Sequence, residues 1–179
     1  SPLGTQLKTV AEMIAVRGTL QASRQIFFVA TGGFDSHDDQ AQDQPGLLAN
    51  VSACLDAFYR ATVEMGIAQN VTAFTQSDFG RTLTSNGDGT DHAWGGVQLV
   101  VGGAVHGKSV YGSYPVLRLG ATLAADGADD VGGGRFIPTT SSDQYAATLA
   151  RWFGVLDADL ARIAPGIDNF TQRDLGFMS

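Results

Sequence analysis

The chain has 179 residues, 44% of them hydrophobic and 16% charged, a composition that folds around a core rather than staying disordered. A net charge of −7, with 11 scattered Lys and Arg residues, excludes a general binder of nucleic acid or of anionic membranes, since both depend on clustered cations. Its single cysteine, Cys54, excludes an internal disulfide and a cysteine-based zinc site.

A chain of this length is expected to form a single α/β domain over residues 1–179, burying about two-thirds of its unfolded surface. Leu3, Leu7, Val10 and Ile14 recur at helical spacing and predict a first helix over residues 3–17, with Gly18 as its stop. The run Gln25–Ala30 is short, apolar and rich in aromatic and β-branched residues, which predicts a strand buried on both faces. Pro45 is expected to open a second helix, because the first helical position needs no N–H. Leu48, Val51, Leu55, Phe58, Thr62 and Met65 line its apolar face, and Gly66 ends it. Cys54 belongs to this helix and is expected to be a buried structural thiol.

"VTAFT" (71–75) and "VQLVVGG" (97–103) are further buried-strand candidates, and Gly120–Gly134 is expected to be an exposed excursion. Hydroxyl residues in "PTTSSDQYAATLARWFGV" supply N-caps for a last helix that stops at Gly154. Helices between short buried strands predict a mainly parallel sheet with helices on both faces. In such sheets ligands gather beyond the carboxyl ends of the strands. No run of about eighteen apolar residues is present, so no membrane insertion is expected. The N-terminus carries no basic segment followed by an apolar one, so no targeting signal is expected within this chain.

Polar clusters follow or precede the apolar runs. Asp35 and His37, two residues apart, project to one side of an extended backbone. Asp78 follows the second strand candidate, and Asp91-His92 leads into the third. Carboxylate with imidazole is a ligand set for zinc, manganese or iron, whereas calcium and magnesium prefer oxygen alone. Spacing alone favours an ordinary hydrogen-bonded pair over a metal site. "SNGDGTD" lacks the full spacing and distal Glu of a calcium loop and is read as a turn. Arg81 fits an anion clamp or a plain salt bridge. His106 is read as a surface histidine.

Taken together, "FFVATGGFDSHDDQ", "FTQSDFGRTLTSNGDGTDHAWGG", "LVVGGAVHGKSVYG" and "IPTTSSDQYAATLARWFGV" resemble a bacterial family of unknown function (domain of unknown function 1501). Its members are usually exported by the twin-arginine route and belong to the alkaline phosphatase and sulfatase-like superfamily. The resemblance implies the C-terminal part of an alkaline phosphatase-like fold, with the nucleophile-bearing half upstream and no catalytic nucleophile in this chain. It implies a periplasmic or exported location and, in the full-length form, a metal-dependent hydrolase of small phosphate or sulfate esters. The alternative is a non-catalytic exported binding or assembly domain that retains the fold and at most one metal site.

Carried over by position, Asp35, His37 and His92 match ligands of the first metal, and Asp91 is their neighbour or an added ligand. Asp78 matches a ligand of the second metal, but Phe79 stands where that site needs a histidine. One divalent ion (Zn, Mn or Fe) is therefore expected rather than two. Asp38, Asp39 or Asp91 is expected to hold an imidazole in the right tautomer. A sheet lacking its other half also predicts self-association through an exposed edge.

Overall fold

In the computed structural model, which describes residues 1–120 and 129–179, helix α1 spans Pro2–Ala15 and α2 spans Gln40–Glu64. Four short strands follow: β1 (Thr72–Phe74), β2 (Gly80–Ser85), β3 (Thr90–Ala93) and β4 (Val100–Gly102). Helices α3 (Ser142–Phe153) and α4 (Leu160–Ile163) come last, with single 3₁₀ turns at Ala68–Asn70, Asp157–Asp159 and Ile167–Asn169.

The strands pair as β1–β4 and β2–β3. Gly103 N–H donates to the Ala68 carbonyl and Thr75 N–H donates to the Leu99 carbonyl, so numbering rises on one side as it falls on the other. That pair is antiparallel, and β2–β3 is a hairpin. The expected mainly parallel sheet with helices on both faces is thus absent from the described residues. The alkaline phosphatase-like α/β fold implied by the resemblance is corrected with it.

The run Gln25–Ala30 shows why. It is extended, but no strand pairs with it among the described residues. Instead the Gln6 amide of α1 serves both backbone groups of Ala30, donating to its carbonyl at 2.8 Å and accepting from its N–H at 3.0 Å. One glutamine side chain fills the place a neighbouring strand would take. The run is also one-sided: Phe27 and Val29 pack on the helices, while Ile26 is 80% and Phe28 92% exposed. Apolar content alone could not separate this segment from a strand covered on both faces.

Contacts divide the chain into two compact units: residues 1–74, 85–91 and 101–103, and residues 75–84, 92–100 and 104–179. In the first, Leu3, Leu7, Val10 and Ile14 of α1 and Phe58 of α2 form the buried core. The Ser1 hydroxyl accepts from Gly4 N–H at 3.2 Å and caps α1, with Pro2 at the position where a missing N–H costs nothing. Helix α2 begins earlier than its proline suggested. Gln40 N–H donates to the Asp88 carbonyl at 3.1 Å, so the helix start is satisfied from outside and Pro45 lies within the helix. Thr62 and Phe58 are buried on its face as expected, whereas Leu48 is exposed. Cys54 is half-buried against the core rather than enclosed.

In the second unit, α3 is capped by one of the expected hydroxyl residues, Ser141, in a capping box with Gln144, and ends at Gly154 in the left-handed conformation. Ala147, Ala150, Leu160, Ala164 and Ile167 form the core. The buried Thr148 hydroxyl donates to the Gln144 carbonyl and accepts from Leu175 N–H, both at 2.9 Å, which fastens the C-terminal tail to α3. Within Gly120–Gly134, residues 121–128 lie outside the described residues. The flanks are held by Asp130, 1% exposed, whose carboxylate accepts from the N–H groups of Gly120 and Gly132. Among the described residues no helix is long and apolar enough to cross a membrane.

Candidate metal centre

The first unit assembles its polar cluster from two segments distant in sequence. One is the bend at Asp35–Asp39 that leads into α2. The other is the turn Ser85–Asp91, read from sequence as a turn and nothing more. Asn86 N–H donates to the Gly89 carbonyl and the Asn86 side chain accepts from Gly89 N–H, both at 3.1 Å, which closes the turn on itself. The closed turn then grips the bend. Thr90 N–H donates to the Ser36 carbonyl at 3.3 Å, and the Thr90 hydroxyl donates to Gln40 Oε1 at 2.7 Å. Gly89 lies so close that a Cβ placed on it would stand 2.1 Å from the His37 carbonyl oxygen. Only glycine permits that approach.

The consequence is a fixed backbone beneath His37. Its Nε2 is 2.9 Å from Asp35 Oδ1, and its Nδ1 is 3.5 Å from Asp91 Oδ1. The Asn86 side-chain amide donates to the same Asp91 oxygen at 3.2 Å, fixing that carboxylate. Of the three acids expected to steady an imidazole, Asp91 stands at the ring, and Asp39 instead occupies the N-cap of α2. Carboxylates thus stand at both ring nitrogens and hold the imidazole from two sides, as the partners of metal-binding histidines do.

His92 follows Asp91 in β3 and is handled differently. Its ring lies face to face with that of Phe79, centroids 4.0 Å apart and planes 7° from parallel. The Arg81 guanidinium carbon is 5.7 Å from the Phe79 ring centroid, within cation–π range. Phe79, read from sequence only as a lost ligand, is a support for His92. Asp35 and His37 of the first unit are both exposed and offer a carboxylate oxygen and an imidazole nitrogen as ligand atoms for a metal ion.

The donor set fits a divalent cation of the zinc, manganese or iron type. Two donors each about 2.0–2.1 Å from a tetrahedral ion lie about 3.3 Å apart. Asp35 Oδ1 and His37 Nε2 are 2.9 Å apart, the distance of a good hydrogen bond, and need to part by only a few tenths of an ångström to share an ion.

Asp78 sits exposed at the bend before β2 and is not part of this group. His106 is exposed, with Nδ1 3.3 Å from the Gly176 carbonyl. A cleft of about 430 Å³ in the second unit, lined by Tyr111, Ser113, Thr140 and Gln144 among others, carries neutral groups and none of the predicted site residues. Sequence reasoning missed Asn86, Gly89 and Phe79. The first two had a signal in "SNGDG", where Asn and Gly mark a constrained turn, whereas nothing in spacing points to Phe79.

No curated protein and no solved structure matches the chain. A family model described as "Protein of unknown function (DUF1501)" matches residues 4–163. The chain therefore belongs to the DUF1501 family of proteins of unknown function.

Proposed function

We propose that this protein binds one divalent cation through Asp35 and His37, and that the ion serves to polarise an oxygen of a small anionic ester. The observation that carries the reading is His37 itself. An exposed imidazole held between Asp35 and Asp91, above a backbone gripped by its own turn, is prepared for an ion rather than left to move. A bound cation of this kind supplies Lewis-acid polarisation of an oxyanion. Asp35 and His37 hold it, and Asp91 keeps the His37 ring in place.

The test is a panel of phosphomonoesters, phosphodiesters and sulfate esters, offered to protein loaded with zinc, manganese or iron. Turnover that disappears in His37→Ala supports the reading, and turnover that survives it defeats the assignment. One observation favours a second reading, a binding or assembly domain: both proposed ligands are exposed, whereas catalytic ions profit from water exclusion. Tight metal binding with no turnover on any ester selects that reading. Export by the twin-arginine route belongs to the proposal on the family resemblance. Fractionation of cells expressing the whole gene tests it, a periplasmic product supporting export and a cytosolic one refuting it.

A further inference from the structure

We infer that Asn86 is a site of spontaneous deamidation, and that its conversion releases Asp91 from His37. The reaction stands on the turn alone, whereas its effect on zinc binding rests on the metal reading above.

Of the four asparagines in the chain, Asn86 alone is followed by glycine; Val51, Val71 and Phe170 follow the others. A backbone nitrogen attacks the side-chain carbonyl of the preceding asparagine most readily when no Cβ stands beside it. Asn86 and Gly87 are exposed, and a Cβ added to Gly87 would meet nothing within 4 Å among the described residues. The Gly87 N–H donates to the exposed Ser85 hydroxyl at 3.1 Å, so the proton that must leave already has an acceptor. The Gly89 N–H donates to Asn86 Oδ1 at 3.1 Å, which polarises the carbonyl under attack and stands where negative charge develops. In the first step the Gly87 nitrogen loses its proton and bonds to Asn86 Cγ. The Cγ–Nδ2 bond breaks, and Nδ2 takes a proton and leaves as ammonia. Water then opens the cyclic imide, at Cγ to give aspartate or at the Asn86 backbone carbonyl carbon to give isoaspartate. A proton returns to the Gly87 nitrogen. One water enters, one ammonia departs, and nothing is oxidised or reduced.

Either product undoes the support of His37. Aspartate replaces the amide that donates to Asp91 Oδ1 at 3.2 Å by a second negative charge, which repels the carboxylate it held. Isoaspartate also lengthens the backbone by one carbon inside the turn that Asn86 and Gly89 close, and Gly89 is the residue packed against the His37 carbonyl.

The folded, metal-free wild type is incubated at mildly alkaline pH and mapped by peptide mass spectrometry. Most chains are expected to carry aspartate or isoaspartate at position 86 over a time in which a free peptide of residues 83–90 converts completely. Asn50, Asn70 and Asn169 are expected to stay intact. An unchanged Asn86, or one converted no faster than the other three, overturns the inference. Anion exchange then separates the converted chain by its added negative charge. Zinc, titrated calorimetrically, is expected to bind this chain and Asn86→Asp about 10- to 100-fold more weakly than the wild type, the worth of a partner behind a ligating histidine. In an Asp91→Ala background, Asn86→Asp is expected to weaken zinc no further. Wild-type zinc affinity in the converted chain, or an equal loss from Asn86→Asp without Asp91, overturns the link to His37. A wild type that binds no zinc defeats the metal reading, and Asn86 is then decided by the peptide map. Should Asn86→Asp not fold, the converted wild type supplies the same comparison.

Discussion

Asp91→Ala is expected to weaken metal binding while leaving the fold largely in place. Asp91 is exposed, so its truncation opens no cavity. What it removes is the carboxylate 3.5 Å from His37 Nδ1, held there by the Asn86 amide. Partners of this kind behind a ligating histidine are worth about 10- to 100-fold in affinity. An ion that binds only the folded chain stabilises it by about 2.7 kcal/mol at a concentration 100 times its dissociation constant. For the variant, the same concentration is about 10 times or about equal to that constant, which gives about 1.4 or about 0.4 kcal/mol. At about 2–4 °C per kcal/mol for a chain of this size, the zinc-induced rise in melting temperature falls from about 5–11 °C to about 3–6 °C or about 1–2 °C. Asp91→Asn retains an oxygen to accept from the ring N–H and is expected to lie between. Thermal melting with and without a fixed excess of zinc is the assay. Equal zinc-induced shifts in the wild type and both variants would refute the positioning role of Asp91.

Gly89→Ala drives a methyl into the His37 carbonyl, and overpacking of this kind costs about 1–3 kcal/mol, or about 2–12 °C in melting temperature. Melting unchanged within error would show that the turn does not grip the bend. Burial pushes the Tyr145 phenol well above its ordinary range, while its hydroxyl donates to the Thr75 carbonyl at 3.1 Å. The folded chain thus favours the neutral phenol. Its share of stability is complete below about pH 10, where an unfolded phenol also stays neutral, and is lost as pH rises further. Denaturant unfolding from pH 8 to 11 should show a shallower alkaline decline in Tyr145→Phe, and an identical decline contradicts the assignment. Ile26 and Phe28, at 80% and 92% exposure, are expected to drive self-association. Size-exclusion chromatography should show the wild type larger than a monomer and an Ile26→Asp/Phe28→Asp variant as a monomer. A monomeric wild type refutes this.

What could be read from the chain depended on how local the cause was. The stop of helix α3 was legible to the residue in Gly154, and its start was narrowed to the hydroxyl run in which Ser141 is the N-cap. The core face of α1 followed from spacing alone, since Leu3, Leu7, Val10 and Ile14 are all buried. The sheet was misread because Gln25–Ala30 has the composition of a covered strand, yet Gln6 rather than a neighbouring strand meets its backbone at Ala30. That substitution depends on a side chain more than twenty residues away. The start of α2 was displaced for the same reason, its first N–H being satisfied by Asp88. At the candidate site, the residue types of Asp35, His37, Asp91 and His92 pointed to their chemistry. Their supports did not, because Asn86, Gly89 and Phe79 act through close approach and stacking, which no spacing encodes.

The central claim is that Asp35 and His37 bind a divalent cation, and direct titration with zinc, manganese and iron(II) tests it most simply. Isothermal calorimetry on the wild type, His37→Ala and Asp35→Ala, with metal content measured after dialysis, reads affinity and stoichiometry together. The account predicts one ion per wild-type chain and loss of that ion in both variants. No binding by the wild type, or undiminished binding by His37→Ala, would contradict it.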